Sequence, residues 1–174
     1  MTHHEEYLEV VDISGRVIGK ARRSELHRNP SLIHRVVHVI VSDKQGNLLL
    51  QKRSMNKDVA PGRWDTSVGG HVQTGEDVHT AALREMREEL GIEGCDVDHL
   101  YHYLFINHHE AELVTTFFCT YEGEIIFNNE EIDAITYWDT ASIKSTSGKT
   151  SSATTLRGNF LSICNTAKPS LSYV

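Results

Sequence analysis

One stretch of the sequence, residues 70–92, constrains the fold more than any other, because it spaces glycine, glutamate and arginine tightly in a helix-forming context. It reads GHVQTGEDVHTAALREMREELGI. Glu76 and Asp77 place negative charge at a first turn, and neither proline nor an internal glycine interrupts the run before Gly91, a residue at which helices commonly end. The pattern predicts one helix over residues 77–90.

The predicted helix has one broad apolar arc, which we expect to lie on a sheet. At about 100° per residue, the arc contains Val78, Ala81, Ala82, Leu83, Met86 and Leu90. Glu85 and Glu89 fall inside the arc and Glu88 borders it, while Arg84 can pair with Glu88 one turn on. A half-buried carboxylate costs on the order of several kcal/mol unless a cation or hydrogen-bond donors offset it. The acids therefore predict a patch that binds a hard divalent cation through oxygen ligands.

The spacing of these residues resembles the Nudix box, the signature of the Nudix family. Its defined positions are matched by Gly70, Glu76, Arg84, Glu85, Met86, Glu88, Glu89, Gly91 and Ile92. So many constrained positions are a specific signal, and the alternative is a surface helix rich in i,i+4 salt bridges. The resemblance implies an α+β protein with the α/β/α sandwich of the Nudix fold. It also implies hydrolysis of a nucleoside diphosphate, or of another diphosphate, linked to some group X.

The resemblance further implies roles for the residues of the box. Magnesium or manganese would be held by Glu85, Glu88 and Glu89, with the Gly70 carbonyl as a further ligand. Such an ion bridges diphosphate oxygens and lowers the pKa of water, which then attacks phosphorus. Arg84 would orient a glutamate instead of touching the substrate.

Length and charge limit the remaining classes of protein. A chain of 174 residues with 39% hydrophobic content predicts one domain over residues 1–174. A net charge of −7 argues against a binder of nucleic acid polymers or membrane surfaces, but it leaves room for a small-molecule diphosphate. Three widely spaced cysteines without paired zinc spacing, and no targeting signal or membrane-length apolar run, favour the cytoplasm. Dimers are common in the family, so a homodimer stays open.

Strand patterns surround the predicted helix on both sides. We expect strands at 7–11, 16–20, 35–41, 47–52, 100–106, 113–121, 124–127 and 134–139, a polar link at 21–33, and a second helix near 153–164. The chain then divides into an N-terminal β-hairpin and link (1–34), a core (35–140), and a C-terminal loop and helix (141–174). The order predicts a mixed β-sheet with helices on both faces.

A second set of residues lies outside the box. It contains His27, His34, His71, Glu110 and Glu112. Taken singly, each is explained by a chance surface histidine or by a solvated strand face. Together their spacing resembles isopentenyl diphosphate isomerase, a Nudix-fold enzyme with three histidines and two glutamates around a metal. The resemblance implies a second, transition-metal site, for which zinc or manganese is suitable.

Three basic residues extend the resemblance to the isomerase. Arg23, Arg53 and Lys57 match positions that hold its diphosphate, and ordinary surface charge is the alternative for each. One difference is larger, because the isomerase has its catalytic cysteine immediately before the glycine–histidine pair, where this chain has Gly69. Glycine has no side chain that could move the isomerising proton. The sequence therefore favours a hydrolase, with isomerisation as the first alternative and a non-catalytic diphosphate-binding module as the second.

The sequence leaves the general base open. Nudix enzymes often use a glutamate outside the box, which would make Glu110 or Glu112 the base. Glu88 and Glu89 within the box are the alternatives.

Overall fold

The computed structural model describes residues 5–57 and 60–139, which form one nine-stranded mixed sheet with a long helix against it. The elements are β1 (Tyr7–Val11), β2 (Val17–Arg22), α1 (Arg23–Leu26), β3 (Ile33–Ser42), β4 (Leu48–Arg53), β5 (Trp64–Asp65), β6 (Val68–His71), α2 (Val78–Leu90), β7 (Asp98–Ile106), β8 (Ala111–Thr120) and β9 (Ile132–Trp138). The predicted α+β class and mixed sheet are confirmed. No helix in the described ranges is long and apolar enough to cross a membrane.

Strand β3 is the centre of the sheet. It pairs in parallel with β8 over its whole length, from Ile33 to Ser42. Its other edge is shared by β1, β6 and β4, all of them antiparallel to it. The apolar sequence of β3 fits this position, since its side chains are buried on both faces of the sheet.

Helix α2 ends at the predicted residue and begins one residue later than predicted, with Asp77 as its N-cap. The Asp77 side chain accepts hydrogen bonds from two backbone amides of the first turn, and Gly91 closes the last turn in the left-handed conformation at φ 66°. The fully buried residues Ala81, Met86 and Leu90 pack in the same core cluster as the odd-numbered valines of β3. The expectation for Leu83 is wrong, because Leu83 lies at the outer margin of the apolar arc and is 36% exposed.

The segment 124–127 is not a strand, and this expectation is also wrong. Its backbone runs past the end of α2 instead. The amide of Ile126 donates to the carbonyl of Leu90 at 3.2 Å, and the amide of Asn128 donates to the carbonyl of Glu89 at 2.8 Å. The segment thus satisfies carbonyls that the last turn of a helix leaves without partners.

The N-terminal part also differs from the prediction. The link expected at 21–33 contains the end of β2 and the short helix α1, and β3 begins at Ile33, so His34 lies within the strand. Strands β5 and β6 were not expected, since both are very short. The predicted hairpin of β1 and β2 exists and extends the main sheet.

The helix expected at 153–164 lies outside the described residues.

Alternation along β3 gives the sheet two different faces. Val37, Val39 and Val41 point toward α2 and belong to its core cluster. The even-numbered residues of the strand point the other way, and among these are His34 and His38. One strand therefore supports the helix on one face and supplies imidazoles to the other.

Candidate active site

A cavity of about 500 Å³ opens beside β6 and brings together most of the residues that the sequence singles out. The predicted site residues that line it are Arg23, His27, Arg53, Lys57, Gly70, His71, Arg84, Glu85, Glu88, Glu89, Glu110 and Glu112. His34 is the exception, because it is fully buried next to the rings of His27 and His71. A cavity of this size is suited to a small organic ligand.

The three glutamates that α2 contributes differ in burial. Glu89 is 5% exposed and accepts a hydrogen bond from Gln51 Nε2 at 2.9 Å, whereas the Glu88 side chain is 49% exposed. Burial raises the pKa of Glu89 to about 8, and the nearby Glu85 carboxylate adds to this rise. Burial also raises the pKa of Glu85. A divalent cation would offset both effects by favouring the ionised carboxylates, so the buried acids fit such an ion.

Arg84 holds the acids in place from within α2. Its Nη1 donates to Glu85 at 2.7 Å and to Glu88 at 3.0 Å, which confirms the predicted pair with Glu88. Its Nε and Nη2 donate to the two carboxylate oxygens of Glu76, each at 2.9 Å. Nη2 also donates to the carbonyl of His71 at 2.9 Å. The guanidinium therefore joins the helix to the loop before it and to β6.

Gly70 leaves space for a carboxyl group of α2. It lies opposite Val37 in the pairing of β6 with β3, on the side of the sheet that faces α2. A β-carbon at this position would overlap the carboxyl group of Glu85. The absence of a side chain lets the backbone of β6 approach the helix carboxylates closely.

Two compact groups of potential metal ligands share the buried His34, beside another part of the cavity wall. Within residues 5–57 and 60–139, three ligand atoms come within 4.8 Å of one another in the sets His27–His34–His71 and His34–Glu110–Glu112. We call these five residues the histidine cluster. The glutamates of α2 do not form such a set in the described structure, and their oxygens are bonded to Arg84 and Gln51 instead.

The histidine cluster is assembled from separate parts of the chain. The ring centroids of its three histidines are 5.2–5.6 Å apart. Nε2 of His27 lies 3.2 Å from Nε2 of His71, and Nδ1 of His27 lies 3.5 Å from a carboxylate oxygen of Glu110. His34 Nε2 is 3.9 Å from Glu112, which is too long for a hydrogen bond. The nitrogens and oxygens thus converge on one region, where His27 and His71 share a hydrogen bond.

The chemistry of this cluster fits a transition metal. Neither ring nitrogen of the fully buried His34 has a well-formed hydrogen bond in the described structure. Burial lowers the pKa of His34 to about 4 and lowers that of His71 well below its ordinary value, so both rings are neutral at pH 7. Burial raises the pKa of Glu112 to about 8, and nearby Glu110 adds to the rise. Neutral imidazoles and desolvated carboxylates together suit zinc or manganese.

Arg23, Arg53 and Lys57 bring positive charge to the same cavity. Arg53 forms an ion pair with Asp65 at 3.4 Å, and Lys57 forms one with Glu131 at 2.7 Å. Both pairs are partly exposed, so each cation is accessible to an anionic ligand. The cavity therefore offers basic groups for phosphate oxygens beside acids that suit a cation.

Several lining residues were not singled out as site residues. Glu131 lines the cavity with the helix acids and contributes to the raised pKa of Glu85. It ends the acidic run NNEE before β9, which is a signal that could have found it. His38, Tyr103 and Phe105 also line the cavity. In the sequence they stand inside strand patterns, which do not distinguish a residue of the core from one that faces a cavity.

Comparisons with known proteins agree with this geometry. The chain matches the family described as "NUDIX domain" over residues 32–157. It is 36% identical over 132 residues to an uncharacterized Nudix hydrolase of Yersinia pestis, covering 75% of this chain and 71% of that protein. A shorter match is to the isopentenyl-diphosphate Delta-isomerase of Streptomyces griseus, at 42% identity over 85 residues. This match covers only 49% of this chain and 43% of that enzyme.

A comparison of folds gives the same result. The crystal structure of DR0079 from Deinococcus radiodurans superposes with a TM-score of 0.71 at 24% identity, covering 83% of this chain and 90% of that one. At this identity the likeness concerns the fold alone.

Proposed function

Because the chain belongs to the Nudix family and is a Nudix-type pyrophosphohydrolase, we propose that it cleaves an organic diphosphate by attack of water at phosphorus, in a reaction that depends on a divalent metal. One observation carries the proposal. The buried carboxylates of α2 and the basic side chains of Arg53 and Lys57 line one cavity of about 500 Å³. A diphosphate held by a cation on one side and by basic groups on the other matches this distribution of charge.

The helix acids would hold the ion. We assign this role to Glu85, Glu88 and Glu89, with the carbonyl of Gly70 as a further ligand. Mg²⁺ or Mn²⁺ fits because these are oxygen ligands. When bound, such an ion neutralises charge on the diphosphate and makes water more acidic. Arg84 acts as a positioning residue, since its hydrogen bonds are directed at glutamates and at a backbone carbonyl.

The basic residues would bind and orient the phosphate groups. Arg53 and Lys57 are each bonded to a carboxylate in the described structure, and Arg23 lies on the cavity wall near them. A phosphate oxygen that reaches these side chains would exchange one ion pair for another. The substrate is then fixed with its diphosphate next to the acids of α2.

The base that takes the proton from water remains one of a few carboxylates. Glu88 is the most exposed acid of α2, and Glu112 lies across the cavity in the histidine cluster. Glu131, which bonds Lys57, is a further acid at the same wall. We expect replacement of the base by glutamine to lower kcat and to remove the acidic limb of the pH–rate profile. Glutamine variants of the other candidate carboxylates should keep the acidic limb of the profile.

We further propose that the histidine cluster holds a separate transition metal. The support is the buried His34, whose ring nitrogens lack well-formed hydrogen bonds at the meeting point of two ligand sets. An ion there would be retained through purification without added metal. Metal analysis of the protein as isolated tests this, and the absence of any such ion would remove the second site.

Isomerisation of isopentenyl diphosphate to its allylic isomer is the second candidate function. It is favoured by the likeness to an isopentenyl-diphosphate Delta-isomerase and by the assembly of the histidine cluster. Gly69 argues against it, since glycine cannot transfer a proton to substrate carbon.

One experiment separates the three functions. The protein is incubated with magnesium and a panel of nucleotide sugars, dinucleoside polyphosphates, coenzyme A and isoprenoid diphosphates in water enriched in ¹⁸O. We expect release of phosphate or monophosphate products carrying one ¹⁸O. Conversion of isopentenyl diphosphate to its allylic isomer without such release would indicate an isomerase. Tight binding without any turnover would indicate a binding module and would overturn the proposal.

A further inference from the structure

Strand β1 lies beside the loop that leads into α2, although it precedes the part of the chain that matches the family. We call that loop, residues 72–77, the approach loop. Leu8 forms an isolated antiparallel bridge with Gln73, and Thr74 Oγ1 donates a hydrogen bond to the carbonyl of Tyr7 at 3.2 Å. The N-terminal hairpin thus supports the loop from which α2 starts.

One buried acid of β1 reaches the backbone of the approach loop. Glu9 is 9% exposed, and its Oε1 accepts a hydrogen bond from the amide of Gly75 at 3.1 Å. Its Oε2 accepts a hydrogen bond from Arg35 Nη2 at 2.6 Å. A buried carboxylate loses its hydration, and these two donors replace it. Glu9 is therefore held between the sheet and the approach loop.

Arg35 makes the second connection between the sheet and this loop. It lies on β3 two residues before Val37, so it points to the face of the sheet that carries α2. The same Nη2 that bonds Glu9 also donates to the carbonyl of Glu76 at 3.2 Å. The carbonyl of Arg35 accepts a hydrogen bond from the amide of Val72 at 3.1 Å. The approach loop is thus bonded to Arg35 near both of its ends.

Glu76 connects the approach loop to the helix acids. Its two carboxylate oxygens accept hydrogen bonds from Arg84 Nε and Nη2, each at 2.9 Å. Nη1 of the same guanidinium donates to Glu85 at 2.7 Å and to Glu88 at 3.0 Å. A continuous series of contacts, all of ordinary hydrogen-bond length, therefore joins Glu9 to two of the proposed magnesium ligands.

A second ion pair in the same hairpin provides a contrast. Asp12 and Arg16 are paired across the turn between β1 and β2, and the side chain of Arg16 is 79% exposed. Asp12 also accepts hydrogen bonds from two backbone amides of that turn. The pair of Glu9 and Arg35 instead joins two strands and contacts the approach loop through both of its members. The first pair shapes a turn, whereas the second holds the approach loop against the sheet.

We propose that Glu9 and Arg35 are positioning residues of the active site, which act on the helix acids through Glu76. The inference rests on the proposed magnesium-dependent hydrolysis and adds the N-terminal hairpin to its machinery. Neither Glu9 nor Arg35 lines the cavity of the described structure, so both act through other residues. Loss of such outer contacts lowers metal affinity or activity by about 10- to 100-fold.

The test measures two properties of the whole protein. The first is kcat and KM with magnesium for an active substrate of the panel. The second is the affinity for Mn²⁺, followed by electron paramagnetic resonance and counted only where Mg²⁺ displaces it, because Mg²⁺ prefers oxygen ligands to imidazoles.

Glu9→Gln keeps an acceptor for the amide of Gly75 but ends the ion pair with Arg35. We expect its kcat to fall about 10-fold while KM changes by less than about threefold. The dissociation constant of the displaceable Mn²⁺ should rise about 10-fold, since the acids lose their fixed positions.

Two other variants of the hairpin exclude a merely structural effect. Asp12→Asn removes the exposed ion pair of the turn. Val11→Ala leaves a cavity at a buried position of β1 and should lower the unfolding temperature. Both variants should keep the wild-type kcat and Mn²⁺ affinity when these are measured well below the unfolding temperature.

A double variant tests whether the effect passes through Arg84. If it does, Glu9→Gln added to Arg84→Lys should lower kcat by less than about twofold beyond Arg84→Lys alone, because the contact it supports is already lost. Residues that act independently would multiply their effects, and that result would overturn the inference.

The outcomes separate this inference from the proposed function. Wild-type kcat or wild-type Mn²⁺ affinity in Glu9→Gln overturns the positioning role alone, and so does an equal loss in Val11→Ala. If the wild-type protein hydrolyses no diphosphate with magnesium, the proposed function is overturned, and the Mn²⁺ affinity of Glu9→Gln then decides the role of Glu9.

Discussion

The acids of α2 and the histidine cluster lie in one cavity, yet they are built in opposite ways. Glu85, Glu88 and Glu89 come from one helix and are held by side chains of the protein, chiefly Arg84. The histidine cluster is drawn from four separate segments, and His34 at its centre lacks a well-formed hydrogen bond in the described structure. The difference supports the proposal that the helix acids bind a cation that comes and goes with substrate. It also supports the proposal that the histidine cluster binds one that stays.

The strongest test of this comparison is Glu89→Gln. We expect turnover with magnesium to fall by about 10³-fold, because the buried acid that a cation would pair with becomes a neutral amide. Any metal at the histidine cluster should remain, as measured on the purified variant. Glu93→Gln, at an exposed position after α2, is the matched control and should be as active as wild type. Retained turnover would remove Glu89 from the mechanism, and loss of both metals would mean that the two regions form one site.

His34→Ala tests the other half of the comparison. The central ligand of the histidine cluster is lost, so the affinity for zinc or manganese should fall by at least about 100-fold, measured by competition with a chelator. Magnesium-dependent hydrolysis should persist in part, because the acids of α2 are untouched. His79→Ala serves as the control histidine. If His34→Ala binds zinc as wild type does, the histidine cluster is not a metal site.

Arg84→Lys sharpens the account of how the helix acids are held. Lysine keeps the charge but cannot bond Glu76, Glu85 and Glu88 at once, so the carboxylates lose their fixed positions. We expect kcat to fall about 10- to 100-fold while KM changes by less than about threefold. A large rise in KM with unchanged kcat would instead place Arg84 in contact with the substrate.

The smallest effect concerns stability in the presence of a chelator. Burial raises the pKa of Glu89 to about 8, above its value in the unfolded chain, so folding binds a proton between these two pKa values. As pH rises from about 5 to about 8, the metal-free protein should lose roughly 3 kcal/mol through Glu89, or about 6–12 °C in Tm. The raised pKa of Glu112 adds a loss in the same window. Glu89→Gln should reduce the slope of this dependence, as followed by thermal unfolding. An equally steep curve in the variant would contradict the assignment.

The sequence predicts features that depend on neighbouring residues better than features that depend on distant ones. Helix α2, its C-terminal end and its pair of Arg84 with Glu88 are confirmed because they depend on residues at most a few positions apart. The strand at 124–127 is wrong because its backbone bonds to the end of α2, a partner that no local pattern reveals.

The site shows a similar limit. The residues of the histidine cluster could be named through family resemblance, but their convergence depends on the register of β3 with β6 and β8. His38 and Glu131 line the cavity for the same reason. Within a strand pattern, a polar residue that faces a cavity looks the same as one that faces the core. The roles assigned to the site residues stay predictions until the variants are made.

Strand β3 carries the helix core on alternate residues and the cavity on those between. Insertion or deletion of a single residue near Val36 would turn valines toward the substrate and histidines into the packing beneath α2. One such change would therefore damage both the core and the cavity. Gain or loss of two residues keeps the alternation and shifts only the pairing partners. Among natural variants of this strand, length changes should therefore come in even numbers, a pattern that neither half of the molecule would impose alone.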